Sequence, residues 1–278
     1  LAGRAPEALP DAIGRTSRER LTQQARLQAA ERTTGQPSYE FLPREPGRGF
    51  ELLPPPSSGD LFFDIEGDPF AGDDGLEYLW GVLDAAGEFT AHWGCDPTGD
   101  QHPAAEQRAF EALVDQLTAA HAADPAMHVY HYAPYEPTRL KTLSARLGTR
   151  EAEVDRLLRA DVLVDLYAVV RQGLRLSKES YSIKQVEDYY RGHTRAHGAD
   201  VSDAGESIVA FERWLATRDQ GLLDQIEAYN RDDCVSTLEL RAWLEERRTE
   251  LLRSGAELRR PADGDPDASA ELVAAQVL

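Results

Sequence analysis

Leu61-Phe62-Phe63-Asp64-Ile65-Glu66 is the stretch on which the fold of this chain turns. An apolar run of this length reads as a buried strand, and a strand sends successive side chains to opposite faces. Asp64 and Glu66, two residues apart, therefore share a face at the end of the strand. Carboxylates that close repel, and one must take up a proton unless a cation lies between them. A hard divalent ion, which prefers carboxylate oxygens, meets that need. The structural alternative is a strand fraying into an acidic turn, because Gly67-Asp68-Pro69 follows at once.

Outward from this stretch, Glu77–Asp84 and Glu88–Trp93 also read as strands, joined by the turn Ala85-Ala86-Gly87. Residues 104–122 carry Phe110, Leu113, Val114 and Leu117 at helical spacing. Met127–Tyr132 reads as a fourth strand and Pro137–Leu147 as a helix. A helical half follows through Glu151–Leu158, Asp165–Gln172, Ser182–Tyr190, Gly205–Arg218 and Leu222–Arg248. The pattern is α/β, and hairpin connections to the next two strands would place the acidic strand centrally in the sheet. Residues 1–58 read as an appendage, a polar helix over Arg15–Arg32 followed by a Pro/Gly-rich linker. Residues 59–252 then form the main domain, and 253–278 a tail or linker. A first residue of Leu1, with no Met, reads as the start of a segment cut from a longer chain.

Composition narrows the class. In 278 residues, 41% hydrophobic content and four Trp support a packed core. Cys95 and Cys234 share no C-x-x-C spacing, which argues for a reducing, cytoplasmic setting and against zinc. No apolar run approaches the ~20 residues of a membrane span, so no membrane partner is expected. A net charge of −19 opposes a nucleic-acid partner in bulk. Yet Arg171 to His197 gathers Arg171, Arg175, Lys178, Lys184, Arg191 and Arg195 against only Glu179, Glu187 and Asp188. A solvated helix face would look much the same, so charge leaves the partner open.

Several residues could serve chemistry, each with an ordinary alternative. Tyr229 and Asp233 stand i, i+4 on the long C-terminal helix and share one face, where a phenol beside a carboxylate can hold a water. A core tyrosine and a surface charge would show the same spacing. Glu136, after the fourth strand, either projects toward Asp64 and Glu66 or only complements a helix dipole. His131 is a substrate contact or a satisfied structural group. Asp165 is an N-cap or orients a ligand from behind. Ser182 would cap its helix, and Lys184 could meet a phosphate near the exposed amides.

The order of these motifs is more specific than any one of them. Asp-x-Glu on a first strand, an acid after a later strand, then Tyr-x-x-x-Asp on a late helix resembles the DEDD (DnaQ-like) family of 3′–5′ exonucleases, of the RNase H-like fold. Within that superfamily His131–Glu136, Val164–Tyr167, Ser180–Glu187 and Tyr229–Leu238 together resemble the YprB-type nuclease domain of predicted RecB-family nucleases. The resemblance covers roughly residues 60 to 248, and residues 1–45 resemble the linker after the RecB-like nuclease in such proteins. It implies an RNase H-like mixed central sheet with flanking helices and a helical C-terminal half. It also implies a metal-dependent 3′–5′ exonuclease acting on single-stranded DNA through two Mg²⁺ or Mn²⁺ ions, in DNA repair. Asp64, Glu66 and Asp233 would hold one ion, Asp64 and Glu136 the other, and Tyr229 would orient the attacking water. His131, Tyr181 and Lys184 would contact the strand, with Tyr189 and Tyr190 also available for stacking, and Asp165 would act from behind. A helicase and a RecB-like nuclease domain would accompany this segment in the full-length chain. One departure stands out: the family's second motif ends in Asp, whereas Tyr132 and Glu136 occupy the matching places here. The alternatives are an inactive docking module of the same fold and a structure-specific endonuclease.

Overall fold

The computed structural model describes residues 12–72, 75–95, 103–192 and 203–262, with Gly3 and Val201. Arg195 and His197 of the basic island Arg171–His197, residues 4–11 of the appendage and the tail past Ala262 lie outside the described residues. In chain order the elements are α1 (Arg15–Thr34), β1 (Tyr39–Phe41), β2 (Leu61–Asp68), β3 (Leu76–Asp84), β4 (Phe89–Trp93), α2 (Pro103–Ala123), β5 (Val129–His131) and α3 (Tyr135–Leu147). They continue with α4 (Glu151–Arg159), β6 (Leu163–Asp165), α5 (Leu166–Gly173), β7 (Leu174–Leu176), α6 (Ile183–Val186), α7 (Ala204–Thr217) and α8 (Gln220–Arg253). Among the described residues no helix is long and apolar enough to cross a membrane.

These elements fall into two compact units. One draws on Pro54–Leu166, Ala196–Ala242 and Arg260–Leu278, the other on Leu1–Leu53, Tyr167–Arg195 and Trp243–Arg259. The first holds a five-stranded mixed sheet in the order β4-β3-β2-β5-β6, so the acidic strand is central, as hairpin connections require. β2–β3 and β3–β4 pair antiparallel, β2–β5 and β5–β6 parallel. The two-residue period of β2 sorts its side chains. Leu61, Phe63 and Ile65 face the apolar stripes of α2, α3 and α4, including Phe110, Leu113, Leu140 and Val154. The opposite face of the sheet, where β3 contributes Tyr78 and Leu79, packs against Phe211 and Trp214 of α7 and Leu222 and Ile226 of α8.

β2 and β3 shift register between Glu66 and Gly67. Glu66 pairs with Leu79 and Gly67 with Glu77, which leaves Tyr78 as the extra residue of a bulge. A bulge re-aims the side chains beyond it. Here Glu77, 1% exposed, accepts the Tyr135 hydroxyl at 3.1 Å and pairs with Arg139, tying the first turns of α3 to β3.

Behind the sheet, Asp60 is fully buried and accepts from the main-chain N–H of Ser57 (2.9 Å) and His128 (3.0 Å) and from Arg241 Nη2 (3.0 Å). The Arg241 guanidinium also lies over Phe62 and Tyr130, at 5.6 and 5.3 Å from the ring centres. Burial pushes the Asp60 carboxyl up, and these donors and Arg241 oppose the rise. Arg241→Met would leave that charge buried and unpaired, a loss of about 3–5 kcal/mol in urea unfolding at neutral pH. The loss should shrink toward pH 4 as Asp60 takes up a proton, and a loss under about 1 kcal/mol at pH 7 would mean the pair is unimportant.

The second unit contains two strands that the sequence reading did not assign, β1 within the linker and β7 between the helices Asp165–Gln172 and Ser182–Tyr190. β1 pairs antiparallel with β7, Tyr39 opposite Leu176, and α1 lies along β7 through Gln24 Nε2, which donates to the carbonyls of Leu176 (2.8 Å) and Lys178 (3.2 Å). Tyr189 is half-buried and packed in this unit: its hydroxyl donates to Ser38 O (3.0 Å) and its ring packs on Tyr39 and Trp243. Ser182 precedes α6 but makes no side-chain cap hydrogen bond. β6 is a further departure, because the reading began a helix at Asp165 where the structure ends a strand.

Candidate metal centre

Asp64 and Glu66 meet Asp233 of α8: one carboxylate oxygen from each lies within 4.8 Å of the other two. Glu66 and Asp233 are 4% and 8% exposed, and Asp64 is half-buried. Asp233 reaches this position because the sheet-facing side of α8 is polar just here. Asn230, Asp233 and Thr237 recur at i, i+3, i+7 and are all buried.

Asn230 completes the arrangement. Its Nδ2 donates to Asp64 Oδ2 at 2.8 Å, and its side chain is fully buried. The residue opposite Asp64 across the β2–β3 ladder is Gly81. A Cβ there would stand 1.7 Å from Asn230 Oδ1, so the amide occupies the space that the missing side chain leaves. Cys234 Sγ caps the same point, donating to Gly81 O at 3.4 Å.

The clustered charges set the local acidity. Burial, followed by the charges of Asp233, Glu66 and Glu136, holds the Asp64 carboxyl well above the usual carboxylate range. Burial and the charges of Asp233, Glu66 and Asp64 push the Tyr229 phenol up, with Asp233 the strongest of the three. Tyr229 is thus a proton donor at neutral pH. The Cys234 thiol is pushed up by burial and the same anions, which leaves it protonated. An all-oxygen donor set that repels itself when fully ionised fits a hard divalent cation.

Glu136 stands outside that close group, although its charge reaches Asp64. It is 4% exposed at the start of α3, and its Oε2 has no hydrogen-bond partner, with His131 Nδ1 at 3.4 Å. Burial raises its carboxyl and His131 partly offsets the rise. The turn before it is strained: Ala133 has φ +78°, a left-handed conformation costly for a residue with a Cβ. Two side chains hold it. Asp165 Oδ1 accepts the Ala133 N–H at 2.9 Å, and His131 Nδ1–H donates to the Ala133 carbonyl at 2.8 Å. His131, 2% exposed, and Asp165 therefore both bear on the loop that delivers Glu136.

The structure brings together Asp64, Glu66, Asp233 and Tyr229, sets Glu136 nearby with His131 and Asp165 behind it, and places Tyr181 and Lys184 in the other unit. Sequence reasoning missed Asn230 and Gly81. Two signals were present: a glycine inside the run Trp80-Gly81-Val82, and an amide one turn from Asp233 on the same helical face.

No curated protein and no solved structure matches the chain. A family model described as RNase H superfamily matches residues 61–245. The matched span opens on the first residue of β2 and closes within α8, so it takes in the sheet, the acidic cluster, Glu136 and Tyr229; the chain belongs to the RNase H superfamily.

Proposed function

We propose that the chain is a metal-dependent nuclease that hydrolyses nucleic-acid phosphodiester bonds, acting as a 3′–5′ exonuclease on single-stranded DNA. The observation that carries this reading is the Asp64–Glu66–Asp233 cluster, with Tyr229 close enough for the Asp233 charge to act on its phenol. Asp64, Glu66 and Asp233 would hold one Mg²⁺ or Mn²⁺, and Asp64 with Glu136 a second. Such ions, when bound, make water nucleophilic near neutral pH and neutralise phosphate charge. The protein's own groups do the rest. Tyr229, kept protonated by burial and the surrounding anions, orients the water by hydrogen bonding and removes no proton from it. Asn230 fixes the rotamer of Asp64. His131 and Asp165 hold the turn that carries Glu136, so we assign both a positioning role. Phe70, 86% exposed just beyond β2, offers a ring on which a base can stack. The resemblance of residues 1–45 supports a full-length protein that also carries a RecB-like nuclease and a helicase, working in the cytoplasm on DNA repair.

With Mn²⁺, 5′-labelled single-stranded DNA is expected to shorten progressively from its 3′ end, while a covalently closed circle stays intact and a chelator stops the reaction. Absence of shortening would end the enzymatic reading in favour of a docking module. Cutting of the circle would convert the assignment to an endonuclease.

A further inference from the structure

The unit built on β1 and β7 neutralises several of its cations internally. Lys178 contacts Glu31 and Asp188, Arg26 contacts Glu40, and Arg44 pairs with Glu51 at 3.0 Å. Among the described residues of this unit, Arg20, Arg32, Arg171, Arg175, Arg253 and Arg259 form no ion pair, and three of them, Arg20, Arg171 and Arg175, are neighbours.

The three are held together. Arg175, in β7, donates from Nη1 to the Arg20 carbonyl of α1 at 2.8 Å. Arg171, in α5, lies with Cζ 5.0 Å from the centre of the Tyr181 ring. Tyr181 is pinned to β7, its hydroxyl donating to Leu174 O (3.2 Å) and accepting from Leu176 N–H (3.3 Å). Arg20 and Arg171 are exposed and Arg175 is half-buried. Burial, joined by the repulsion of Arg20 and Arg171, holds the Arg175 guanidinium below its ordinary range, against the opposing pull of Tyr181 and of Glu40, its partner across the β1–β7 ladder, which Arg26 also engages. Gathering three cations near one carboxylate already shared with Arg26 is unfavourable, and a bound anion relieves it.

We propose that Arg20, Arg171 and Arg175, with Tyr181 as their platform, form a surface that takes the phosphate backbone of single-stranded nucleic acid. The proposal rests on the nuclease reading for its choice of anion. A single-stranded polyanion fits better than a free phosphate for two reasons. The charges are spread over α1, α5 and β7, and an arginine stacked on a tyrosine presents its outer face to a base. A chain with net charge −19 also repels a polyanion unless some local surface reverses the sign.

The test uses the full chain in chelator and a fluorescent oligothymidylate of about 20 nucleotides, with anisotropy read across a salt series. In the triple variant R20Q/R171Q/R175Q, affinity at low salt should fall about tenfold or more. The slope of log affinity against log salt should fall by about 2, at roughly 0.7 per phosphate on a single strand. The exposed pair R20Q/R171Q should remove about 1.4 of that slope, which keeps the test decisive if the triple variant folds poorly. R175K should retain the slope. In Mn²⁺, hydrolysis of a one-phosphodiester nitrophenyl ester should be unchanged in the pair variant, while KM for the oligonucleotide rises. An unchanged affinity and slope in the variants overturns the surface whatever the activity. Salt-dependent binding lost in the variants, from a wild type that hydrolyses neither substrate, upholds the surface and overturns the nuclease reading alone.

Discussion

Asp64→Asn is expected to lower Mn²⁺-dependent hydrolysis by roughly a thousandfold or more, since losing about 4 kcal/mol of metal-borne transition-state stabilisation has that effect. The same change is expected to make the metal-free protein harder to melt. Like charges at the 4.8 Å limit of the cluster repel by about 3–4 kcal/mol at an effective dielectric near 20. Asn keeps the volume of Asp and still accepts from Asn230 Nδ2, so the substitution removes the charge and little else.

The pH dependence follows from the raised Asp64 carboxyl. A carboxyl raised in the folded state keeps a proton that the unfolded chain gives up above about pH 4. Its contribution to stability is therefore complete below about pH 4 and is lost as pH climbs through the raised value. Melting in chelator should show the variant gaining on wild type between pH 5 and 8, by about 1–2 kcal/mol or a few degrees at the upper end. Added Mn²⁺ should raise the wild-type melting temperature and leave the variant nearly unmoved. A variant that melts below wild type at pH 8 in chelator would show that the three acids do not repel, and the metal centre would lose its physical basis.

What the sequence made legible follows from periodicity. The β2 alternation, the hairpin to β3 and the 3.6-residue stripe of α2 were readable because each lies within a few consecutive residues. They suffice to place Asp64 at the centre of the sheet. β1, β6 and β7 each span only three residues, too few to show a period, and β1 pairs with a strand far along the chain. Charge misleads in a related way. Asp233 and Glu136 look like solvent-facing helix residues until the sheet is laid beside them, where both are buried. Lys178 looks like part of a basic island until Glu31 and Asp188 close on it. Such pairings depend on tertiary approach, which local spacing does not encode.

Gly81→Ala should be strongly damaging for a change of one methyl group. Its Cβ would stand 1.7 Å from Asn230 Oδ1, 2.9 Å from Asn230 Cγ and 2.8 Å from Phe89 Cε2. Asn230 is fully buried and bonded to Asp64, so it cannot swing into solvent to make room. Overpacking costs about 1–3 kcal/mol, and a buried Asp64 oxygen deprived of its donor costs a similar amount, giving about 3–5 kcal/mol in all. Hydrolysis should fall with it, because the Asp64 rotamer loses its anchor. A double-mutant cycle with Asn230→Ala separates the two contributions. Removing the amide relieves the Asn230 clash and leaves the 2.8 Å approach to Phe89, so Gly81→Ala should cost only about 1 kcal/mol in the Asn230→Ala background. The coupling read from urea unfolding should then be about 2–4 kcal/mol. Additive losses would mean that Asn230 moves aside for the methyl without leaving Asp64, and Gly81 would no longer explain how the amide reaches the metal centre.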